Sequence, residues 1–381
     1  MKIGIFTECY EPVINGVVHS IDSTKKGLED LGHEVFVFTP DYKEKNLKDS
    51  KVIPCPSFPI GRTSYHFIYK LQDKIKKIAK ELDVYHTHHP FLMGRRAQHL
   101  AGEFSKPVLF THHTQYDQYL AYVPLFKHLA GAALKNYLKK FCDRCTQVIA
   151  PSEGIAEVIK KYGTKSPIEV VHNGIAIERF AKKNLSEPKA LEALPKNRKI
   201  VLYTGRIAYE KNIDFLVRSF AKTVQMMPNA YLVLVGSGAA EKEIKNLAAD
   251  LKIEKNMIMT GAVKYDEIPA FYEHADIFSA ASKTDVHPLI ALEAIAAGLP
   301  VIAVKAIGFS DIVKDGETGF LTNEQEKEFA QKIVKLLDNN SLRERMSRLA
   351  LKDSKNYSIH AAAQNMFEAY KKAISLIKSR G

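Results

Sequence analysis

The chain has 381 residues, which is enough for two domains that each bury a hydrophobic core. No apolar run reaches the roughly 18 residues that a membrane-spanning helix needs, and the first apolar segment is too short for a signal peptide. The net charge of +12 comes without a basic-aromatic recognition motif, so nucleic acid is not an expected partner. We expect a cytoplasmic protein whose four cysteines are reduced.

Short apolar strands alternate with helices in two successive series. The first series predicts strands over 2–7, 35–39, 84–87, 107–111, 147–150 and 169–171, and helices over 16–31, 65–81, 92–104, 118–143 and 153–162. After a polar linker, the second predicts strands over 199–204, 231–235, 257–260, 276–279 and 300–304, and helices over 212–226, 240–250, 266–273 and 288–297. Polar helical sequence fills 324–380. This alternation indicates two doubly wound parallel sheets, which bind ligands at the carboxyl ends of their strands.

Two segments, 65–81 and 123–144, combine several lysines with apolar side chains. Basic amphipathic helices of this kind can lie on anionic membrane surfaces. Ordinary surface helices with lysine-rich outer faces are the alternative. We expect these segments to bring the protein to an anionic membrane as a peripheral partner.

Polar residues follow the predicted strands of the first domain. Asn15-Gly16 opens a helix after the first strand, and two later strand ends carry His86-Thr87-His88-His89 and Thr111-His112-His113-Thr114-Gln115-Tyr116-Asp117-Gln118-Tyr119. Histidine and tyrosine suit hydroxyl recognition by hydrogen bonds and stacking. Packed core histidines are the alternative for His86 and His112. No HExxH spacing is present, and we predict no metal.

The second domain opens with Gly205-Arg206 and, after a short loop, Glu210-Lys211-Asn212. Two cations and the free N–H groups of a helix start form a clamp for a diphosphate. Surface cations, one of them paired with Glu210, are the alternative. Gly236 and Val263 mark two further strand ends, where glycine lets a base or phosphate approach the backbone.

The segment from Asp285 to Glu293 places two carboxylates around a helix start. Pro288 suits the first helical position, because its missing N–H would be unpaired there anyway. A helix start attracts phosphate, and a nearby acid can hold sugar hydroxyls. An ordinary buried helix with solvated acids is the alternative.

Together these features resemble the retaining, nucleotide-sugar-dependent glycosyltransferases of family four. The resemblance spans nearly the whole chain and rests on these segments: Asn15-Gly16, His113-Thr114, Pro151-Ser152-Glu153, Asn173-Gly174-Ile175, Gly205-Arg206 with Glu210-Lys211-Asn212, Gly236-Ser237-Gly238, Ala275-Asp276, and Asp285 with Glu293. It implies the GT-B fold, an α/β fold of two Rossmann-like domains with a cleft between them. The implied acceptor domain is 1–180, the nucleotide-sugar domain is 181–355, and helix 356–381 can return to the first domain.

Within the family, His113 to Tyr119 and Ile14 to Val18 are most similar to enzymes that add glucose to diacylglycerol. The implied reaction moves a hexose, with glucose from UDP-glucose favoured, onto a lipid hydroxyl with retention, and it needs no further cofactor. The implied catalytic residues are His113, Arg206, Lys211 and Asp285. The implied donor-binding residues are Gly16, Gly205, Gly236, Val263, Leu289 and Glu293, and the implied acceptor-binding residues are Asn15, Tyr116 and Tyr119.

The chain departs from the family pattern at Asp285-Val286-His287-Pro288. Family members usually have Glu at the first position and Gly at the fourth. Asp is one methylene shorter, and Pro288 offers no N–H to a phosphate. Other functions therefore stay open: a transferase for a soluble sugar or polysaccharide, a nucleotide-sugar epimerase, or a donor-binding protein with impaired catalysis.

Overall fold

A computed structural model describes residues 1–42, 49–59, 66–68, 73–116 and 127–379. The chain forms two compact units. Unit 1 consists of Met1–Gly174 and Ile359–Gly381, and unit 2 consists of Ile175–Ser358. The chain therefore passes from unit 1 into unit 2 and back again. No helix in the described ranges is both long and apolar enough to span a bilayer.

A parallel seven-stranded sheet with the order β3-β2-β1-β6-β7-β8-β9 forms the centre of unit 1. The strands of this unit are β1 (Lys2–Phe6), β2 (Glu34–Pro40), β3 (Val52–Cys55), β4 (Ser57–Pro59), β5 (His66–Ile68), β6 (Val84–Thr87), β7 (Val108–Thr111), β8 (Gln147–Ala150) and β9 (Ile168–Val170). Strands β4 and β5 form a separate antiparallel hairpin.

Helices cover both faces of this sheet. They are α1 (Gly16–Asp30), α2 (Asp73–Lys80), α3 (Leu92–Glu103), α4 (Lys127–Asp143) and α5 (Glu153–Lys161), joined by the last helix of the chain, Ile359–Lys378. Ile3 and Ile5 of β1 pack in one core with residues of α1 and the last helix, whereas Phe6 packs in the opposite core. This alternation follows from the two-residue period of a strand. A Cβ on Gly27 of α1 would lie 2.6 Å from the Ala363 Cβ, so glycine is needed where the two helices meet.

The predicted helix over 65–81 is wrong in its first part. Residues His66–Ile68 form β5, which pairs with β4, and α2 begins only at Asp73. The rings of Phe58 and Phe67 face each other across the hairpin with centroids 5.1 Å apart. Aromatic and β-branched residues favour a strand once a partner strand is present, and that partner could not be recognised from local spacing. The helix predicted over 118–143 is described only from Lys127 onward, because residues 118–126 lie outside the described residues.

Unit 2 is built on a six-stranded parallel sheet with the order β12-β11-β10-β13-β14-β15. Its strands are β10 (Lys199–Thr204), β11 (Ala230–Val235), β12 (Met257–Gly261), β13 (Ile277–Ala280), β14 (Val301–Val304) and β15 (Gly319–Thr322). Its helices are α6 (Ile177–Phe180), α7 (Lys189–Glu192), α8 (Ile213–Met226), α9 (Glu241–Asp250), α10 (Ile268–Glu273), α11 (Leu289–Ala296), α12 (Ile307–Ser310), α13 (Glu326–Asp338) and α14 (Asn340–Ser354), so the last helix of the chain is α15.

The fold class predicted from sequence is confirmed, since both sheets are parallel and carry helices. The edge strand β15 was not predicted, because it is short and begins at a glycine. A Cβ on Gly319 would lie 1.9 Å from the Val301 carbonyl oxygen, so only glycine allows this strand to approach β14.

Candidate functional site

The strand order of unit 2 reverses beside β10, which lies between β11 and β13. Loops leaving β10 and β13 therefore diverge toward helices on different sides of the sheet. In doubly wound sheets this switch point leaves a crevice at the carboxyl ends of the strands, and ligands bind there. The loop after β10 begins at Gly205, and the loop after β13 leads to Pro288.

A largely buried ion pair joins these two loops. Lys211 Nζ lies 2.5 Å from Asp285 Oδ1, and the two side chains are 16% and 18% exposed. The hydroxyls of Ser282 and Thr284 each lie 3.4 Å from the Glu210 carbonyl oxygen and add a second connection. Lys211 is therefore held at the switch point. It is one of the two cations that the sequence predicted to clamp a diphosphate.

Arg206, the other predicted cation, is less constrained. Its guanidinium Nη2 donates to Glu210 Oε1 at 2.7 Å, but its side chain is 60% exposed. This is the surface pair that the sequence left open as an alternative. The Glu210 side chain is only 16% exposed, so the guanidinium of Arg206 is the end of the pair that can turn toward a ligand.

Glycines bring the strand ends of unit 2 into backbone contact. Gly205 and Gly236 have φ values of +134° and +139°, which other residues rarely adopt. A Cβ on Gly236 would lie 1.9 Å from the Gly205 carbonyl oxygen. Position 236 therefore needs glycine, because any side chain there would clash with the loop that begins at Gly205. Val263, predicted to lie beside a nucleobase, is half-buried and packs against the core of unit 2.

The carboxyl of Glu293 lies inside unit 2, on helix α11. The residue is 7% exposed, and the Tyr272 hydroxyl donates to its Oε2 at 2.9 Å. The same hydroxyl lies 2.6 Å from Thr204 Oγ1, at the end of β10. Burial raises the pKa of Glu293 to about 7, while hydrogen bonds from Tyr272 and Tyr265 and the charge of Arg179 act in the opposite direction. The acid therefore titrates near neutral pH.

Arg179 and Tyr265 form the outer part of this cluster. The guanidinium carbon of Arg179 lies 4.0 Å from the centroid of the Tyr265 ring, and the same side chain pairs with Asp266. Arg179, Thr204, Tyr265 and Tyr272 were not predicted from sequence. The only sequence signal for this cluster was the position of Tyr265, two residues after the predicted site residue Val263. Tyr272 has the pattern of an ordinary core aromatic.

Pro288 was predicted as the first helical residue, but the helix begins one position later, at Leu289. Pro288 is the N-cap of α11, with φ −68° and ψ 116°, and its carbonyl accepts from Ala291 N at 3.1 Å. A Cβ on Gly308 would lie 2.9 Å from Pro288 Cδ and 2.4 Å from the Asp285 carbonyl oxygen, so this glycine allows close packing against the segment.

Unit 1 has its own switch point beside β1, which lies between β2 and β6. Asn15 caps helix α1 there, because its Oδ1 accepts from Val18 N at 2.9 Å. Gly16 begins the helix, and a Cβ on it would meet no atom within 4 Å among the described residues. Glu8, which sequence reasoning also missed, accepts from Met93 N at 3.1 Å near the start of α3, and burial raises its pKa to about 7.

Histidines cluster at the ends of β6 and β7. His88 Nδ1 lies 2.7 Å from His113 Nε2. His86 is buried and contacts Thr111 Oγ1 at 2.7 Å and the Tyr370 hydroxyl at 2.8 Å, as a core histidine would. Burial lowers the pKa of His86 to about 3 and the pKa values of His88 and His113 well below the usual range. These imidazoles are therefore neutral at pH 7.

The predicted acceptor residues are only partly described. Tyr116 is buried, and its ring packs edge-on against His112 and Phe91, with centroids 5.3 Å and 5.8 Å away. Tyr119 lies outside the described residues. Within the described ranges, no three His, Cys, Asp or Glu side chains are grouped as metal ligands.

The two basic segments use their apolar sides inside unit 1. In α2, Ile75 and Ala79 are buried in the core, and the exposed positions are Asp73 and the lysines Lys74, Lys76, Lys77 and Lys80. In α4, Leu138 and Phe141 are likewise buried. Helix α2 therefore presents charge, and not an apolar face, to the surface.

Comparison with known proteins identifies the family. A model described as Glycosyltransferase Family 4 matches residues 14–179, and one described as Glycosyl transferases group 1 matches residues 184–353. An alpha-monoglucosyldiacylglycerol synthase of Acholeplasma laidlawii is 31% identical over 97% of this chain and 96% of its own length. The chain belongs to the group 1/family 4 glycosyltransferases. The corresponding synthase of Streptococcus pneumoniae is 32% identical to this glycosyltransferase over 84% of this chain and 75% of its own length.

Two solved structures share the fold. HepE of Anabaena in complex with UDP-glucose superposes with a TM-score of 0.76 at 20% identity, covering 98% of this chain and 100% of that one. Sucrose-phosphate synthase of Thermosynechococcus elongatus gives a TM-score of 0.75 at 20% identity, covering 98% and 99% of the two chains. These similarities confirm the GT-B fold of this family 4 glycosyltransferase.

Proposed function

We propose that this glycosyltransferase moves glucose from UDP-glucose to the free hydroxyl of diacylglycerol, with retention at the anomeric carbon. The observation that carries the proposal is the similarity over nearly the full chain to an alpha-monoglucosyldiacylglycerol synthase, at 31% identity. The Lys211–Asp285 pair and the buried Glu293 at the carboxyl end of the unit 2 sheet agree with a site for a nucleotide sugar.

In the proposed reaction, Lys211 and Arg206 bind the diphosphate and stabilise the negative charge that develops as it leaves. Glu293 accepts hydrogen bonds from the ribose hydroxyls, and Asp285 and His113 contact the transferred sugar. Backbone at Gly16, Gly205 and Gly236, with Val263 and Leu289, completes donor binding, and Asn15, Tyr116 and Tyr119 bind the acceptor. The protein needs no metal, because the two cations neutralise the diphosphate.

The proposed reaction needs no protein side chain as a base. The bond between the anomeric carbon and the diphosphate oxygen breaks, and a bond to the acceptor oxygen forms on the same face of the sugar. The acceptor hydroxyl proton passes to the departing phosphate oxygen. We assign acceptor binding to the domain expected over 1–180, which corresponds to unit 1, and donor binding to the domain expected over 181–355, which corresponds to unit 2. The unit bounds lie at Gly174/Ile175 and Ser358/Ile359, and the helix expected over 356–381 belongs to unit 1 from Ile359 onward.

Peripheral attachment to an anionic, cytoplasmic membrane surface is part of the proposal. The lysines of α2 are exposed while its apolar residues are buried. For α2, attraction to anionic lipid therefore comes from charge and not from insertion of an apolar face.

The test is incubation of the purified protein with glucose-labelled UDP-glucose and vesicles that contain diacylglycerol and an anionic lipid. We expect a labelled glycolipid whose anomeric proton shows the α configuration. Lys211→Met is the matched inactive control, and GDP-mannose and UDP-galactose test donor choice. The absence of lipid product together with the absence of UDP release would contradict the proposal.

Two outcomes would favour other functions. Equal activity with soluble sugar acceptors, independent of anionic lipid, would indicate a transferase for a soluble acceptor. Calorimetric binding of UDP-glucose without turnover would indicate a donor-binding protein, and Pro288→Gly should then restore transfer by supplying an N–H.

A further inference from the structure

His88 and His113 form a hydrogen-bonded pair at the carboxyl ends of β6 and β7. His88 Nδ1 lies 2.7 Å from His113 Nε2, and the two ring planes are inclined by only 13°. A hydrogen bond needs one proton between these nitrogens, so one ring donates and the other accepts. Which ring donates can be decided from the surroundings of the two other nitrogens, His88 Nε2 and His113 Nδ1.

The remaining nitrogen of His88, Nε2, finds no partner among the described residues. His88 is 1% exposed, and its Nε2 makes no hydrogen bond with any residue that the structure describes. A buried N–H without an acceptor is rare and destabilising, whereas an unused lone pair is tolerated more readily. His88 therefore carries its proton on Nδ1 and donates it to His113 Nε2.

This assignment determines the tautomer of His113. Its Nε2 accepts a hydrogen bond and so carries no proton of its own. Burial among other imidazoles lowers the pKa of His113 well below its usual range, so the ring is neutral and holds its single proton on Nδ1. Nδ1 makes no hydrogen bond with the described residues, and the side chain is only half-buried.

We propose that His88 is a positioning residue that sets the tautomer of His113, so that His113 Nδ1–H donates a hydrogen bond to a hydroxyl oxygen of the transferred hexose. The inference rests on the proposed function, because only there does His113 contact the sugar. A fixed donor selects sugars that have an oxygen at that position, since a deoxy sugar would leave the N–H unpaired.

The tautomer is measurable on the unaltered protein. Nitrogen-15 NMR of histidine-labelled protein distinguishes a protonated from a bare ring nitrogen, and the spectrum of His113→Gln assigns the His113 signals. We expect a protonated Nδ1 and a bare Nε2 at His113. A proton on Nε2, or on both nitrogens, would overturn the assignment. This readout does not depend on activity, so it is separate from any failure of the proposed function.

Substitutions of His88 test the positioning role. His88→Leu removes the donor, His88→Asp offers only an acceptor, and His88→Asn retains an N–H near the position of Nδ1. We expect Leu and Asp to lower kcat/KM about tenfold or more, and Asn to restore most of the loss. His99→Leu, on an exposed histidine, is the control. Equal losses for Asp and Asn, with unchanged melting temperature and UDP affinity, would count against the proposal.

Deoxy analogues of UDP-glucose locate the sugar contact. For one analogue, His88→Leu should cause little further loss, because the oxygen that His113 contacts is already missing. Equal losses across all analogues would refute the sugar contact. If intact UDP-glucose gave no transfer with any acceptor, the proposed function would fail while the NMR result stood.

Discussion

Lys211 Nζ and Asp285 Oδ1 are 2.5 Å apart, although the two residues lie on loops that follow different strands of the unit 2 sheet. The pair ties the loop after β10 to the loop after β13 at the point where strand order reverses. A ligand diphosphate that approaches Lys211 would share its charge with Asp285. In the proposed function, the pair would supply a cation to the diphosphate and hold an acid near the transferred sugar.

Lys211→Met should lower kcat/KM by about 100-fold to 1,000-fold, because the cation stabilises charge that develops only in the transition state. Steady-state kinetics with UDP-glucose measure this effect. Lys283→Met is the matched control on a neighbouring residue, since Lys283 is exposed and pairs with Glu324. If kcat/KM fell by less than about tenfold in Lys211→Met, Lys211 would not have the proposed role.

Glu293 should make the protein less stable as pH rises. Its folded pKa of about 7 exceeds the ordinary value of 4.5, so its contribution is complete below 4.5 and is lost as pH passes about 7. Relative to Glu293→Gln, the wild-type free energy of unfolding should fall by about 3 kcal/mol between about pH 5 and pH 8. Denaturant titrations at each pH measure it. Glu8, whose pKa is also about 7, is unchanged in both proteins and cancels. Parallel pH profiles would contradict the assignment.

Tyr272→Phe should remove one hydrogen bond from Glu293 and one from Thr204 while the ring still fills its site. We expect a loss of about 1–2 kcal/mol in the free energy of unfolding, because a buried hydroxyl network is disrupted. A double-mutant cycle with Glu293→Gln should show coupling of at least about 0.5 kcal/mol. Additive effects would mean that the 2.9 Å contact contributes nothing.

Gly236→Ala should destabilise unit 2 strongly. The new Cβ would lie 1.9 Å from the Gly205 carbonyl oxygen at a φ of +139°. Gly261→Ala is the matched control, because its φ is +71° but no described atom lies within 4 Å of its Cβ. Thermal unfolding should show a loss of about 1–2 kcal/mol for Gly261→Ala and a clearly larger loss for Gly236→Ala. Similar losses would show that the backbone conformation alone requires these glycines.

Replacing the four lysines of α2 with glutamine should weaken binding to anionic vesicles and leave binding to neutral vesicles unchanged. The expected loss is about 1 kcal/mol for each lysine that lies near the surface. Vesicle sedimentation at two salt concentrations measures it. The control replaces four exposed lysines of unit 2, namely Lys242, Lys245, Lys252 and Lys255. An equal loss in the control would indicate that total charge, and not α2, determines attachment.

Local sequence predicted the strands and helices that carry their own periodicity. The apolar strands β1 and β10 and the helix that holds Glu293 were found this way. The hairpin β4–β5 was not, because a strand so short is defined by its partner. The buried network around Glu293 also escaped prediction: Tyr272 precedes Glu293 by 21 residues in the chain, and nothing local shows that their side chains meet.

The passage of the chain from unit 1 into unit 2 and back has a consequence for synthesis. The core that contains Ile3 and Ile5 also contains Ala363, Met366 and Tyr370 of the last helix. During translation, the first unit to begin is therefore the last to be completed, and unit 2 can finish folding while the core of unit 1 still lacks the apolar residues of α15. A chaperone that protects nascent chains should bind this protein until α15 emerges.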